Sequence, residues 1–309
     1  MYPEIEPYDA GYLDAGDRNL VYWETCGSPA GLPAVVVHGG PGSGCSPAFR
    51  RFFNPDRYRV ALFDQRNCGR SLPHARHPSV DLASNHTRAL VADMERLRDR
   101  LGVDRWLVVG GSWGCTLSLA YAEAHPERVA GMVLFGITTG RHSEVDWAFR
   151  GGLARHFPAQ WRRLAAYAGD ADVPAAISRL LADPDERVRH EAAHEWCLWE
   201  SAPSSDVAPR FRDPDYAVCF ARIVTHYVRH DLFLEDGVLL RNAGALAGID
   251  GVLINARDDL QAPVENALAL KSAWPRAELV VVDESGHGSG PRVTEEIVRA
   301  TDMFASRVP

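Results

Sequence analysis

The first 140 residues alternate short apolar runs with amphipathic segments. Apolar runs of strand length lie at 20–26, 34–38, 58–63, 106–109 and 129–135, and such runs predict buried β-strands. Residues 86–101 instead place Leu90, Met94, Leu97 and Leu101 on one face of a helix, and 116–124 predict a second helix. Because strands that alternate with helices form a mainly parallel sheet covered on both faces, this pattern predicts an α/β fold.

The pattern changes after residue 140. Strand-like runs are missing between residues 141 and 241, where short helices are predicted at 147–155, 159–168, 174–181, 185–199 and 215–230. The alternation resumes with strands at 252–256 and 279–282 and helices at 263–273 and 294–304. We therefore expect an α/β core with a mostly parallel central sheet over residues 1–140 and 242–309, interrupted by a helical insertion over 141–241.

Composition narrows the function classes. The formal net charge of -8 argues against a dedicated nucleic-acid binder, which would show a basic footprint. No run of about 18 apolar residues predicts a membrane span, and the N-terminus has no pattern of a secretory signal. The six cysteines form no C-x-x-C pair, so we expect reduced thiols and a cytoplasmic location. No motif predicts a cofactor.

One motif indicates nucleophilic catalysis. Residues 110–114, Gly-Gly-Ser-Trp-Gly, fit G-x-S-x-G between the predicted strand 106–109 and a helix. In that context the glycines allow a sharp turn that exposes the hydroxyl of Ser112 above the sheet. The motif is short enough to arise by chance, and a glycine-rich turn without catalytic function is the alternative.

A second glycine-rich turn is the candidate oxyanion hole. Residues 38–42, His-Gly-Gly-Pro-Gly, follow the strand 34–37. The backbone amides of Gly40 and Trp113 are the candidate donors to a developing oxyanion, an interaction that often makes the largest contribution to catalysis. A tight turn that binds nothing is the alternative.

A nucleophilic serine needs a base and an acid that orients the base, and in this fold they follow in the order acid, then histidine. Asp258 and Asp259 follow the strand 252–256, and His287 follows the strand 279–282. The carboxyl ends of the strands are where α/β sheets collect their chemistry. We assign His287 as the base and prefer Asp259 as the acid, with Asp258 as the alternative.

The chain resembles the proline iminopeptidases, which are prolyl aminopeptidases of the α/β-hydrolase fold. The matching segments are HGGPG (38–42), DQRNCGRS (64–71), GGSWGCT (110–116), AHPER (124–128), ARDD (256–259), AWP (273–275) and GH (286–287). The resemblance implies Ser112, Asp259 and His287 as the catalytic triad and the segment 141–241 as a helical cap over the site. It also implies cleavage of an N-terminal aminoacyl group, proline or another small residue, from a small peptide or amide.

The resemblance also implies a substrate pocket, and there the sequence departs from the family. Glu200 matches a glutamate that holds the substrate amine, but Val224 stands where a second glutamate is expected. Thr138 and Ala148 replace aromatic residues expected around the proline ring. With Gly39 these are the candidate substrate-binding residues. We expect a roomier pocket with weaker specificity for proline, although Glu200 could instead be an ordinary salt-bridge partner.

Residues 190–194, His-Glu-Ala-Ala-His, match the H-E-x-x-H zinc-protease motif. On a helix this motif would place His190 and His194 one turn apart with Glu191 as general base. The surrounding segment is rich in arginine and glutamate, as a solvated helix would be, and no third ligand has a recognisable spacing. We therefore predict no metal site.

Three further hypotheses remain open. The enzyme could remove an aminoacyl protecting group from an intermediate bound to an acidic carrier protein, because residues 141–163 hold five arginines and two acids. An esterase or amidase acting on a non-peptide substrate uses the same chemistry. The third hypothesis is a non-enzymatic receptor that binds a small molecule under the cap.

Overall fold

The apolar runs form one eight-stranded sheet. The computed structural model describes residues 1–169, 172–204, 206–288 and 290–307. The sheet has the strand order β1-β2-β4-β3-β5-β6-β7-β8. The strands are β1 (Asp9–Gly16), β2 (Asn19–Gly27), β3 (Leu32–Val37), β4 (Tyr58–Phe63), β5 (Trp106–Ser112), β6 (Val129–Ile137), β7 (Gly251–Asp258) and β8 (Ala277–Ser285).

The sheet is mostly parallel, as the sequence predicts. Strand β2 pairs antiparallel with both β1 and β4, and the other five neighbouring pairs are parallel. The carboxyl ends of β3, β5, β7 and β8 therefore lie at one edge of the sheet. This is the edge where the sequence places the candidate chemistry. Strand β1 was not predicted.

Ten α-helices are found in the described part of the chain. They are α1 (Thr87–Arg100), α2 (Trp113–Ala124), α3 (His142–Phe149), α4 (Pro158–Ala168), α5 (Val173–Leu180), α6 (Glu186–Glu200), α7 (Pro214–Arg229), α8 (Val238–Asn242), α9 (Val264–Ala273) and α10 (Pro291–Ser306). The predicted helix at 147–155 is wrong in its bounds. Helix α3 ends at Phe149 because Gly151 adopts a positive φ of 97°, and a short 3-10 turn follows.

Apolar clusters lie on both faces of the sheet. One cluster joins the buried side chains of α1, α2 and α9, such as Leu90, Leu117 and Leu270, to those of the helices α3–α8. The other cluster packs α10, through Ile297 and Phe304, against the opposite face. Burying both faces of a parallel sheet under helices is the arrangement that the hydrophobic pattern predicts.

The six helices α3–α8 lie between β6 and β7 along the described chain and pack beside the carboxyl edge of the sheet. Helix α7 contacts the glycine-rich turn, since a Cβ added to Gly42 would lie 3.0 Å from Ile223. Helix α8 crosses the expected boundary at residue 241, and the limits of a separate cap domain stay a prediction. No helix in the described ranges has the length and apolar character needed to cross a membrane.

Candidate active site

The turn between β5 and α2 holds Ser112 in a strained conformation. Its φ of 57° lies in a region that residues other than glycine rarely adopt. The flanking glycines allow this turn, since an added Cβ would lie 2.1 Å from the Val37 carbonyl oxygen at Gly114 and 2.6 Å from the Gly114 carbonyl oxygen at Gly110. The hydroxyl of Thr138 donates to the Ser112 carbonyl at 2.7 Å and helps to hold the turn.

His287 lies between a hydroxyl and a carboxylate. Its Nε2 is 2.7 Å from Oγ of Ser112, and its Nδ1 is 2.8 Å from Oδ2 of Asp259. Because the buried carboxylate accepts the proton on Nδ1, Nε2 is left to accept the proton of the serine. The second oxygen of Asp259 accepts the backbone N–H groups of Gln261 and Ala262 at 3.0 and 2.9 Å. These bonds fix the carboxylate in place.

The structure distinguishes the two candidate acids. Asp258 is the last residue of β7 and its side chain is exposed, whereas Asp259 is buried beyond the strand. Consecutive residues in an extended chain point to opposite sides, so only one of the pair can reach His287. The geometry favours Asp259, the acid preferred from the sequence.

Carboxylates control the charge of the histidine. Burial lowers the pKa of His287, but the negative charge and hydrogen bond of Asp259, followed by the charge of Glu200, raise it by more. The resulting pKa lies above the ordinary value of 6.5. An imidazole with this pKa is a stronger base toward the serine proton, and it becomes neutral only above its raised pKa.

The glycine-rich turn lies directly against the serine. A Cβ added to Gly39 would lie 3.2 Å from Cβ and 3.8 Å from Oγ of Ser112. Gly40 has a φ of 114°, a backbone conformation that favours glycine. Trp113 is the first residue of α2, and the first N–H groups of a helix have no acceptor within it. The two candidate oxyanion donors thus lie on segments that meet at Ser112.

Glu200 is a partly buried carboxyl at the end of α6. Burial raises the pKa of Glu200 above its ordinary value of 4.5, and the hydrogen bond from Trp196 and the positive charges of Arg210 and His287 lower it in part, which leaves a pKa of about 7. The indole N–H of Trp196 donates to Oε1 at 3.1 Å. The Glu200 carbonyl accepts from Gln261, two residues after Asp259, so the end of α6 lies near the loop that carries the candidate acid. No salt bridge to Glu200 is found among the described residues.

The contacts of the other candidate substrate-binding residues are mainly with the protein itself. Thr138 bonds the backbone of Ser112, so its hydroxyl is already engaged. The Ala148 carbonyl accepts the indole N–H of Trp199 at 2.9 Å. Val224 is buried on α7. Their role in substrate binding, like that of Gly39, stays a prediction.

The H-E-x-x-H segment lies on α6, away from these residues. His190 is 3.8 Å from Glu186 on the preceding turn, and Glu191 and His194 are exposed. In the ranges that the structure describes, no group of three His, Cys, Asp or Glu side chains is arranged to hold a metal ion. All six cysteines are described and are free thiols.

Three residues near the site were not predicted. The Gln65 side chain bonds His38 and Trp113, and its only sequence signal is its place in the DQRNCGRS segment. Trp147 donates to the Leu260 carbonyl at 2.8 Å, and Gln261 donates to the Glu200 carbonyl at 3.0 Å. These two bonds join the inserted helices to the loop that carries Asp259.

Comparisons with known proteins identify the family of the chain. A family model described as alpha/beta hydrolase fold matches residues 33–290. The chain is 49% identical to a probable proline iminopeptidase of Streptomyces coelicolor, over 99% of this chain and 98% of that protein. It is 44% identical to a proline iminopeptidase of Xylella fastidiosa, over 98% of this chain and 99% of the relative.

Solved structures show the same fold at low identity. A proline iminopeptidase from Mycobacterium smegmatis superposes with a TM-score of 0.65 at 16% identity, over 97% of this chain and 100% of that chain. An alpha/beta fold family hydrolase from Bacillus anthracis gives a TM-score of 0.62 at 18% identity, over 98% and 99%. The fold and the family match define a hydrolase of the α/β-hydrolase class. Within that class, the chain belongs to the proline iminopeptidase family, which confirms the resemblance found in the sequence.

Proposed function

We propose that the protein is a serine aminopeptidase that removes an N-terminal proline, or another small residue, from short peptides and amides. The observation that supports this proposal is the relay from Ser112 Oγ to His287 Nε2 at 2.7 Å and from His287 Nδ1 to Asp259 at 2.8 Å. The Glu200 carboxyl, at the end of α6, forms no salt bridge in the described structure and is the group that we propose for the substrate amine. A nucleophile next to an amine-binding carboxyl is the arrangement that cleavage at an N-terminal residue needs.

The reaction proceeds in two half-reactions. Ser112 Oγ attacks the carbonyl carbon of the first residue while its proton passes to Nε2 of His287. The tetrahedral intermediate breaks its C–N bond, and His287 gives the proton to the leaving amine. Water then attacks the acyl-enzyme ester, His287 takes a proton from the water and returns it to Ser112 Oγ, and the free amino acid leaves.

Four groups bind the substrate or stabilise the transition state. The amides of Gly40 and Trp113 donate to the oxyanion, and Asp259 stabilises the imidazolium form of His287. Glu200 accepts hydrogen bonds from the ammonium group of the substrate. Such a charge-assisted contact is about twice as strong as a neutral hydrogen bond.

The experiment is the substitution Ser112→Ala. It should abolish hydrolysis of prolyl anilide and labelling by a fluorophosphonate without changing the melting temperature. Ser118→Ala is the matched control, since Ser118 lies on the next turn of α2 and its hydroxyl has no hydrogen-bond partner in the described structure. Full activity in Ser112→Ala would refute the mechanism, and an unlabelled wild-type protein would favour a receptor.

Docking of an acidic carrier protein stays a prediction. Three of the five arginines in 141–163 pair with carboxylates: Arg141 with Glu144, Arg150 with Asp146 and Asp231, and Arg163 with Glu195. These pairs offset much of the positive charge that suggested docking. We therefore give the small peptide or amide as the substrate.

A further inference from the structure

A buried chain of hydrogen bonds connects the two segments that carry the candidate oxyanion donors. The side-chain amide of Gln65 donates from Nε2 to the His38 carbonyl at 2.8 Å, and its Oε1 accepts the indole N–H of Trp113 at 2.9 Å. The backbone N–H of Gln65 donates to Nε2 of His38 at 3.0 Å. His38, Gln65 and Trp113 are only 1%, 2% and 4% exposed, so water cannot replace these bonds.

The chemistry of the partners leaves one orientation for the Gln65 amide. A carbonyl oxygen only accepts and an indole N–H only donates, so Nε2 must face His38 and Oε1 must face Trp113. The imidazole of His38 is fixed in the same way: its Nε2 accepts from Gln65, so Nδ1 carries the proton and donates to the Gly39 carbonyl at 2.9 Å. Each side-chain nitrogen and oxygen atom of this network has at least one hydrogen-bond partner.

Asp64, the residue before Gln65, holds the chain just beyond the glycine-rich turn. The carboxylate of Asp64 accepts the backbone N–H of Cys45 at 2.7 Å and that of Arg70 at 2.8 Å. Asp64 and Gln65 directly follow β4, so two adjacent residues at the end of one strand hold the chain on both sides of the turn, at His38 and at Cys45. The residues between them include Gly39 and Gly40, which have no side chain to hold their position.

We propose that Gln65 is a positioning residue that sets the distance between the Gly40 and Trp113 amides. This inference rests on the function proposed above. The amide side chain reaches both segments at once, so any movement of the turn away from α2 breaks one of its two bonds. Because oxyanion donors act only when they lie about 3 Å from the developing charge, holding this spacing stabilises the transition state more than the bound substrate.

The test compares two substitutions that keep the size of the side chain. Gln65→Met removes both side-chain bonds, and Gln65→Glu keeps an acceptor for Trp113 but places an acceptor against the His38 carbonyl. Both should lower kcat by about 10- to 100-fold with KM unchanged, which is less than the 10²- to 10³-fold typical for loss of a donor itself. The affinity for a prolyl boronic acid, whose tetrahedral adduct mimics the transition state, should fall in parallel. Inhibition by L-proline should stay unchanged.

Thr301→Val is the control for a loss of stability. Thr301 lies on α10, on the face of the sheet opposite to α2. Its hydroxyl donates to the Phe52 carbonyl in a buried hydrogen bond at 2.7 Å. This variant should lower the melting temperature while kcat stays at the wild-type value. If a Gln65 variant fails to fold, Trp113→Phe removes the indole donor alone, and it should show the same fall in kcat with KM unchanged.

The outcomes separate the two proposals. Wild-type kcat in both Gln65 variants, or equal losses of boronate and L-proline binding, would overturn the positioning role while the proposed function stands. If the wild-type protein is neither labelled by a fluorophosphonate nor active on prolyl anilide, the proposed function fails and the positioning role fails with it.

Discussion

Replacement of the Glu200 carboxylate tests how the enzyme recognises a free amine. Glu200→Gln keeps the size of the side chain and an oxygen that can accept from Trp196, so the helix α6 should stay intact. The change removes the negative charge that would meet the substrate ammonium group. Hydrogen bonds to charged groups contribute about 1.5–3 kcal/mol, and the loss of one corresponds to about a 10- to 150-fold fall in kcat/KM.

The pH of the assay follows from the structure. Because burial raises the pKa of Glu200 to about 7, about 90% of the carboxyl is ionised at pH 8. We expect the free-amine substrate to lose its advantage in the wild-type enzyme as the pH falls below 7, since protonation of Glu200 removes the same charge as the substitution does.

The assay compares prolyl anilide with cyclopentanecarboxanilide, in which a methylene replaces the ammonium group. The wild-type enzyme should prefer the prolyl substrate, and Glu200→Gln should lose that preference while hydrolysing the carbocyclic substrate at the wild-type rate. Glu191→Gln on the same helix is the matched control and also tests the H-E-x-x-H motif. Equal losses on both substrates in Glu200→Gln, or none, would refute the role of Glu200 as the amine anchor.

Three further predictions concern the triad, the strained turn and a buried ion pair. Asp259 and Glu200 raise the pKa of His287 above 6.5, so kcat/KM for the carbocyclic substrate should rise with pH through a pKa above 6.5. Glu200→Gln should move this rise of the pH profile to lower pH. A rise that stays at the same pH would contradict the effect of the Glu200 charge on His287. Thr138→Val removes the hydrogen bond to the Ser112 carbonyl. We expect the free energy of unfolding in urea to fall by about 1 kcal/mol and kcat to fall about fivefold. An unchanged kcat would show that the bond does not support the turn. Arg66→Met removes the guanidinium that lies 2.6 Å from the buried carboxylate of Asp93 and leaves the half-exposed Arg96 as its other ion-pair partner. Urea unfolding should show a loss of about 3 kcal/mol, the lower end of the range for breaking a buried pair. Arg76→Met, at an exposed pair, should cost less than about 1 kcal/mol, and equal losses would argue against the effect of burial.

The sequence predicts the strands whose hydrophobic signal is continuous. Strands β3 and β5 are buried over nearly their whole length and were recognised from unbroken apolar runs. Strand β1 was missed because only Leu13 and Ala15 face the core, while Gly11, Asp14 and Gly16 read as a loop. An edge strand with one buried face carries too few apolar residues to be distinguished locally.

The residues of the candidate site also divide into those that local sequence predicts and those that depend on distant contacts. Ser112 and His287 are carried by short motifs at strand ends, so local sequence is sufficient to find them. The choice between Asp258 and Asp259 depends on where β7 ends, which only the pairing with β8 fixes. The contacts of Gln65 span 27 and 48 residues along the chain, and no local pattern encodes them.

The hydrogen bonds at Leu260 and Gln261 determine which inserted helices from a relative this α/β core could accept in a chimaera. Trp147 reaches a main-chain carbonyl at residue 260, so a transplanted helix α3 keeps that bond whatever side chain the recipient has there. Gln261 instead supplies its own side chain to the carbonyl at the end of α6. A chimaera that takes its inserted helices from a relative therefore needs glutamine at position 261 and a helix α6 whose last carbonyl lies within reach of it. Otherwise the loop that carries Asp259 loses one of its two hydrogen bonds to the inserted helices.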